Sequence, residues 1–301
     1  QVNSHTLNDQ SEPEVASLAN GGFVAVWRST SQDGSGSYGV YAQVYGADGA
    51  PVGGEYLVNT TITSNQYEPS VVGLSDGSFV VAYRSDYKDA AYLSGDDVLA
   101  KRYDASGTLL VDEFTLNTTT AATQFEPRLA ALSGGQFVAV WADTSNDGSS
   151  YGVFSKVFNS DGSQAVAEQV VSTTVSGTQY GPDVAALTGG GYVAVWWSAD
   201  NQIHGQRFDA TGAKMGSEFQ VSTVDTAASN NWGRVTALDS GGFVVAWDAT
   251  NGDVYVQQYD AAGNKIDGAT RVNSTTASTQ YYPDVAGLSG SNFVVTWSAY
   301  N

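Results

Sequence analysis

The chain has 301 residues, 12 Lys and Arg against 31 Asp and Glu, a formal net charge of −19 and no cysteine. That charge disfavours nucleic acid and anionic membranes as partners and favours divalent cations. The missing thiols exclude a disulfide framework and cysteine catalysis, and the apolar runs are too short for membrane insertion.

Taken in chain order, the sequence is one unit used six times. Each copy opens on a polar residue, usually followed by an aromatic and then Pro. The copies are Gln10–Pro13, Gln66–Pro69, Gln124–Pro127, Gln179–Pro182 and Gln280–Pro283, with a degenerate Asn230–Gly233 in fifth place. They lie 56, 58, 55, 51 and 50 residues apart. A short strand A follows, as at Val15–Leu18 and Val184–Leu187, and ends in Gly, Ser and Asp turn residues. Strand B is the phrase G-G-F-V-A-V-W, from Gly21–Trp27 through Gly77–Tyr83, Gly135–Trp141, Gly190–Trp196 and Gly241–Trp247 to Ser291–Trp297. Its near-continuous apolarity predicts a strand covered on both faces. Strand C alternates, as in Gly39–Tyr45, Asp97–Tyr103 and Asp253–Tyr259. The tight turns Asp104–Gly107, Asp209–Gly212 and Asp260–Gly263 lead to strand D, as in Glu55–Thr60, Glu113–Thr118 and Glu218–Thr223. Asp first and Gly last suit a type I turn followed by a left-handed residue.

Four antiparallel strands in about fifty residues, repeated, predict an all-β fold: a β-propeller of about six four-stranded blades in a single domain, 1–301. Trp27, Trp141, Trp196, Trp247 and Trp297, with Tyr83 in the second copy, are then the packing aromatics between blades. The chain opens on strand D residues (Gln1–Asn3, compare Arg271–Asn273) and has six A–B hairpins but five following C strands. Three explanations stay open: a piece of a longer array, a short last blade closed by the N-terminal strand, or a strand supplied by a neighbouring molecule, which implies self-association.

The combination P-x-V-A-x-L, G-G-F-V-A-V-W, D-G-S-G-x-Y-G-V-Y-A-Q-x-Y and Y-D-A-x-G resembles the repeats of very large secreted bacterial surface proteins and adhesins, many with RTX (haemolysin-type) calcium-binding segments. The resemblance covers essentially the whole chain. It implies a secreted, bacterial cell-surface setting and an adhesive role. The RTX nonapeptide G-G-x-G-x-D itself is absent.

Three sets of residues are candidates for specific work. The B–C loops carry Asp33, Asp86, Asp89, Asp96, Asp97 and Asp147, oxygen ligands suited to Ca2+, although Asp-Gly is equally a hairpin turn signal. The residue before each strand A is Glu14, Ser70, Arg128, Asp183, Arg234 or Asp284. In a propeller these line one end of the channel, and the arginines suit carboxylates or sugar hydroxyls. Trp197 and Trp232 break the repeat and are expected to stack on sugar rings or fill the core. The two histidines, His5 and His204, lack a catalytic setting, and no G-x-S-x-G elbow is present. The expected function is non-catalytic recognition of an extracellular glycan or surface polymer, with structural calcium. The alternatives are an assembly subunit closed by strand exchange, and a polysaccharide-active enzyme using Asp183 and Asp284.

Overall fold

The computed structural model describes residues 1–86, 95–120, 122–144, 147–148, 150–222 and 232–299. Among these, all regular structure is strand apart from two three-residue 3-10 turns, Ser133–Gly135 and Ser289–Ser291. No helix is long and apolar enough to cross a membrane.

Each repeat forms its own antiparallel sheet with the strands in sequence order. The first comprises β1 (Gln10–Ser17), β2 (Phe23–Thr30), β3 (Tyr38–Tyr45) and β4 (Pro51–Leu57). The second comprises β5 (Gln66–Gly73), β6 (Phe79–Ser85), β7 (Asp97–Tyr103) and β8 (Leu109–Thr115). The third holds β9 (Gln124–Ala131), β10 (Phe137–Asp143), β11 (Gly152–Phe158) and β12 (Gln164–Val170). The fourth holds β13 (Gln179–Ala186), β14 (Tyr192–Ser198), β15 (Gln202–Phe208) and β16 (Lys214–Gln220). The fifth holds β17 (Arg234–Ala237), β18 (Phe243–Asp248), β19 (Val254–Tyr259) and β20 (Lys265–Arg271). The sixth, among the described residues, pairs β21 (Gln280–Gly287) with β22 (Phe293–Ala299) alone. The repeats divide into two compact units: Gln1–Thr144 with Ser155–Glu168, and Ser145–Phe154 with Gln169–Asn301.

Both units obey one packing rule. In the first, Phe79, Val81 and Tyr83 of β6 pack on Leu18, Val24, Val26, Val40 and Val44 of the preceding sheet. In the second, Phe243, Val245 and Trp247 of β18 pack on Leu187, Val193, Val195 and Trp197. Alternate residues of strand B thus meet alternate neighbours, which is why the strand is apolar throughout. Trp141, Trp196, Trp247 and Tyr83 are fully buried. Trp297, in the two-stranded sheet, is 37% exposed. Across strands, Phe23–Tyr45, Tyr192–Phe208 and Phe243–Tyr259 stack at 4.7, 4.4 and 4.4 Å, within the range of favourable offset pairs.

Strand A is longer than the apolar pattern indicates. It begins at the opening Gln and runs through the Pro, with the register shifting between Ser11 and Glu14 in β1 and between Tyr67 and Ser70 in β5. Proline cannot donate to a ladder, so the sheet accommodates it with a bulge. Glu12, Glu68 and Glu126 take left-handed φ of 54° there.

Two repeated polar residues fix the sheets. Asn59, Asn117 and Asn273 are buried; their Oδ1 atoms accept from Val40, Val98 and Val254 N–H at 2.8, 3.0 and 2.8 Å. Their Nδ2 groups donate to Gln66, Gln124 and Gln280. Each of these asparagines is therefore a buried strut joining strands C, D and the next A. Asn3 makes the same contact with Gln10 at 2.8 Å, although Gln1–Asn3 is not itself a strand. The strand D glutamates bind the N–H groups that end the preceding sheet: Glu113 accepts from Thr60 at 3.1 Å and Glu218 from Thr173 at 2.7 Å. The expected turns form too, with Gly107 at φ +84° and its N–H on Asp104 O at 2.9 Å.

Candidate functional site

The strand A bulge is where the repeats diverge chemically. In the first unit its glutamates are fully engaged. Glu12 accepts the N–H of Glu68 at 2.7 Å, and Glu68 accepts that of Glu126 at 2.6 Å. Arg28 pairs with Glu12 at 2.8 Å and Arg84 with Glu68 at 3.1 Å. Arg84 also meets Asp96 and lies 4.6 Å over Tyr67 and 5.6 Å over Phe125. These partly buried charges hold successive strands A together.

In the second unit Gly181, Trp232 and Tyr282 occupy the glutamate position. Trp232 lies across Gly181: a Cβ there would come within 2.7 Å of the indole Cδ1, and Gly181 has φ +64°. Trp232 meets Tyr282 at 6.3 Å, and Tyr282 meets Tyr281 edge-on at 4.9 Å. Tyr282 is 58% exposed. The Arg234 guanidinium sits 5.6 Å over Trp232 and donates to Gly233 O. Asp183 accepts the N–H of Val235 at 2.7 Å. Asp284 is exposed and accepts the N–H of Val285.

Asp248 lies in the same sheet as Arg234. It ends β18 at the repeat position of Arg28 and Arg84, whose side chains reach the bulge residue of their own sheets. Asp248 is buried, and its Oδ1 has no hydrogen-bond partner among the described residues. Burial pushes its carboxyl up to about 6, against the opposing effects of its own backbone N–H and of Arg234. A carboxylate withdrawn from water is costly. Trp232, Tyr282 and Arg234 together form a site able to stack a flat or ring-shaped ligand and hydrogen-bond it.

The sequence-derived candidates are distributed as follows. Asp183, Arg234, Asp284 and Trp232 share the second unit, and all but Asp284 are placed in the cluster by named contacts. Glu14 and Arg128 lie in the first unit, where both are half-buried and Arg128 donates to Pro127 O at 3.0 Å. Trp197 is buried against Tyr180 at 4.8 Å, so its ring is core and has no free face for a sugar. Asp33 and Asp147 cap their own hairpin loops, accepting from Ser35 N–H at 2.9 Å and Ser150 N–H at 3.1 Å. Asp86 takes the Asn65 backbone N–H, Asp96 takes Arg84, and buried Asp97 takes Asn117. Asp89 lies outside the described residues. Among the described residues no three acidic or histidine side chains group as a metal site requires. His204 packs beside Trp196, yet it also lies 2.9 Å from both Asp200 and Glu218.

Asp248 and Tyr282 are the functional candidates the pattern reading missed. Their signal was the column in which Glu12, Glu68 and Glu126 give way to Gly181, Trp232 and Tyr282, read together with the column in which Arg84 gives way to Asp248.

No protein-family model and no curated protein matches the chain. Solved structures do. The intramolecular trans-sialidase from Ruminococcus gnavus is 9% identical at a TM-score of 0.68, covering 98% of this chain and 91% of that one. The NanB sialidase from Streptococcus pneumoniae is 7% identical at 0.68, covering 100% of this chain and 67% of that one. The Hadza microbial sialidase Hz136 is 9% identical at 0.63, and this chain spans 62% of its length. The chain shares the fold of these sialidases, which are β-propellers. At such identity the likeness carries fold alone.

Proposed function

We propose that the chain is a secreted, six-bladed β-propeller module that recognises a glycan without cleaving it. The observation that carries this reading is the replacement, in the second unit, of the repeated Glu–Arg pairing by Trp232, Tyr282 and Arg234. Aromatic faces with a guanidinium and carboxylates beside them are the chemistry that binds sugar rings. The sialidase neighbours support a carbohydrate ligand, and the −19 charge with no cysteine suits the extracellular bacterial setting. Asp183, one of the two acids suited to cleavage, accepts the Val235 N–H, and an assay for released reducing ends separates binding from cleavage. The test is a broad glycan array probed with wild type and Trp232→Ala. Binding lost in the variant supports the module, whereas release of reducing ends from a bound polymer makes it an enzyme.

A second reading, assembly through a strand edge, is favoured by the sixth sheet. β22 has the uncharged sequence F-V-V-T-W-S-A, with Val294 44% exposed. Such an edge is a template for pairing with another chain. A strict monomer in sedimentation at high concentration eliminates that reading.

A further inference from the structure

We infer that β22 pairs with β22 of a second copy of this chain, antiparallel and two-fold symmetric about Val295; this rests on the strand-edge assembly reading above. The five four-stranded sheets show what the edge of a strand B receives. In all five, the first aromatic of strand B stacks on the last aromatic of strand C, as Phe79 does on Tyr103 at 5.4 Å and Phe137 on Phe158 at 5.1 Å. A second ring, four residues earlier in strand C, faces the strand B tryptophan: Tyr41 is opposite Trp27 and Tyr255 opposite Trp247. In β22 the corresponding positions are Phe293 and Trp297. Among the described residues no strand lies on that edge of β22, and Trp297 is 37% exposed where Trp196 and Trp247 are fully buried.

The strand that fits this edge is β22 itself. Its two aromatics are four residues apart, the spacing of Tyr41 and Tyr45 in strand C. Laid antiparallel on its own copy about Val295, each Phe293 faces Trp297 of the second copy, and the two Val295 side chains face each other. Aromatic then meets aromatic at both ends, as in every B–C pair that carries two. The backbone agrees. Leu288 N–H donates to Asn292 O at 2.7 Å across the hairpin, so alternation along the strand turns the N–H and C=O of Phe293, Val295 and Trp297 to the open edge. A row of such groups is a template for another strand. Because β22 is uncharged, the symmetric pairing sets no like charges opposite one another, in a chain of net charge −19. A two-fold contact closes on itself, and β21 and β22 of both copies together make the four strands that the other sheets have.

The chain has no cysteine, so single cysteine substitutions report the register. The experiment is sedimentation equilibrium of wild type, with disulfide trapping of Val295→Cys and Ser298→Cys. In the inferred register the two residues 295 lie directly opposite, with Cα atoms about 5.5 Å apart and within disulfide reach. The two residues 298 are roughly 20 Å apart. Wild type is expected to be a dimer; mild oxidation should link Val295→Cys covalently and leave Ser298→Cys unlinked on a non-reducing gel. Val294 and Thr296 are exposed and lie opposite each other across the two-fold. Val294→Lys with Thr296→Lys therefore sets like charges opposite twice and should weaken the dimer about 10-fold. Val294→Lys with Thr296→Glu sets opposite charges there and should restore it. Thermal unfolding establishes that the variants are folded. A dimer that Val295→Cys fails to trap, or that the lysine pair leaves within about twofold of wild type, overturns the inference while leaving assembly through another edge. A strict monomer at high concentration removes the assembly reading and this inference with it.

Discussion

Replacing Asp248 with Asn should stabilise the protein, and the size of the gain follows from the site. The buried carboxyl is raised from its usual 3.8 to about 6, chiefly by burial. At neutral pH the folded protein therefore carries a carboxylate that the unfolded chain would hold more favourably, by ~3 kcal/mol. The sign is fixed by linkage. Between the unfolded and folded values the native state binds the extra proton, so this group's contribution to stability falls as pH rises from ~4 to ~6 and stays low above. Asn has the same shape and no charge to desolvate. The variant should match wild type at pH 4 and exceed it by up to ~3 kcal/mol at pH 7, a rise in Tm of ~5–10 °C for a unit of this size. Urea unfolding of both proteins from pH 4 to 8 measures the difference directly, with other carboxylates cancelling. A difference that does not change with pH, or a variant less stable at pH 7, refutes the account of Asp248 as an acid whose charge is disfavoured by burial. A stability gain accompanied by lost binding would mark the residue as one kept for recognition.

Other expectations concern the frame. Gly181→Ala adds a Cβ at φ +64° and 2.7 Å from Trp232; a loss of ~1–3 kcal/mol and an altered near-UV tryptophan signal are expected, and an unchanged spectrum would mean Trp232 does not lie there. Asn117→Ala removes the acceptor of the Val98 N–H and the donor to Gln124, which should cost ~2–4 kcal/mol in urea unfolding because both partners are left buried. His204 is raised above its usual 6.5: burial opposes this, but Glu218 and Asp200 prevail. Its contribution is thus complete below pH 6.5 and lost as pH rises through the higher folded value. His204→Leu, the residue found at Leu99, should lack that decline in a Tm–pH series. Glu218, pushed up by burial but held down to about 2 by His204, Thr173 and Thr174, should keep its contribution until strongly acid pH. Calcium bound by the B–C loop acids should raise Tm and chelator should lower it; equal values in the two conditions would refute calcium binding.

The sequence by itself determined the repeat, its strands and their order. Those depend on local matters: alternation of apolar residues, Asp…Gly turns and the fixed 13 residues from the opening Gln10 to Phe23. The burial of Trp141, Trp196 and Trp247 was legible for the same reason, because a strand apolar on both faces must be covered on both. What the sequence left undecided were the polar positions, where one residue type serves several ends. Asn59 is one polar letter of a repeat until it is seen spanning strands C and A. Trp197 and Trp232 both read as departures from the pattern, and only packing separates them: the one is buried against Tyr180, the other lies across Gly181. The loop acids Asp86, Asp96 and Asp97 lie near one another along the chain, and only the structure gives each its own partner. Asp248 was visible as a letter in a column. Its burial is a property of three-dimensional space, because the exclusion of water depends on which elements pack around a side chain and not on its place along the chain.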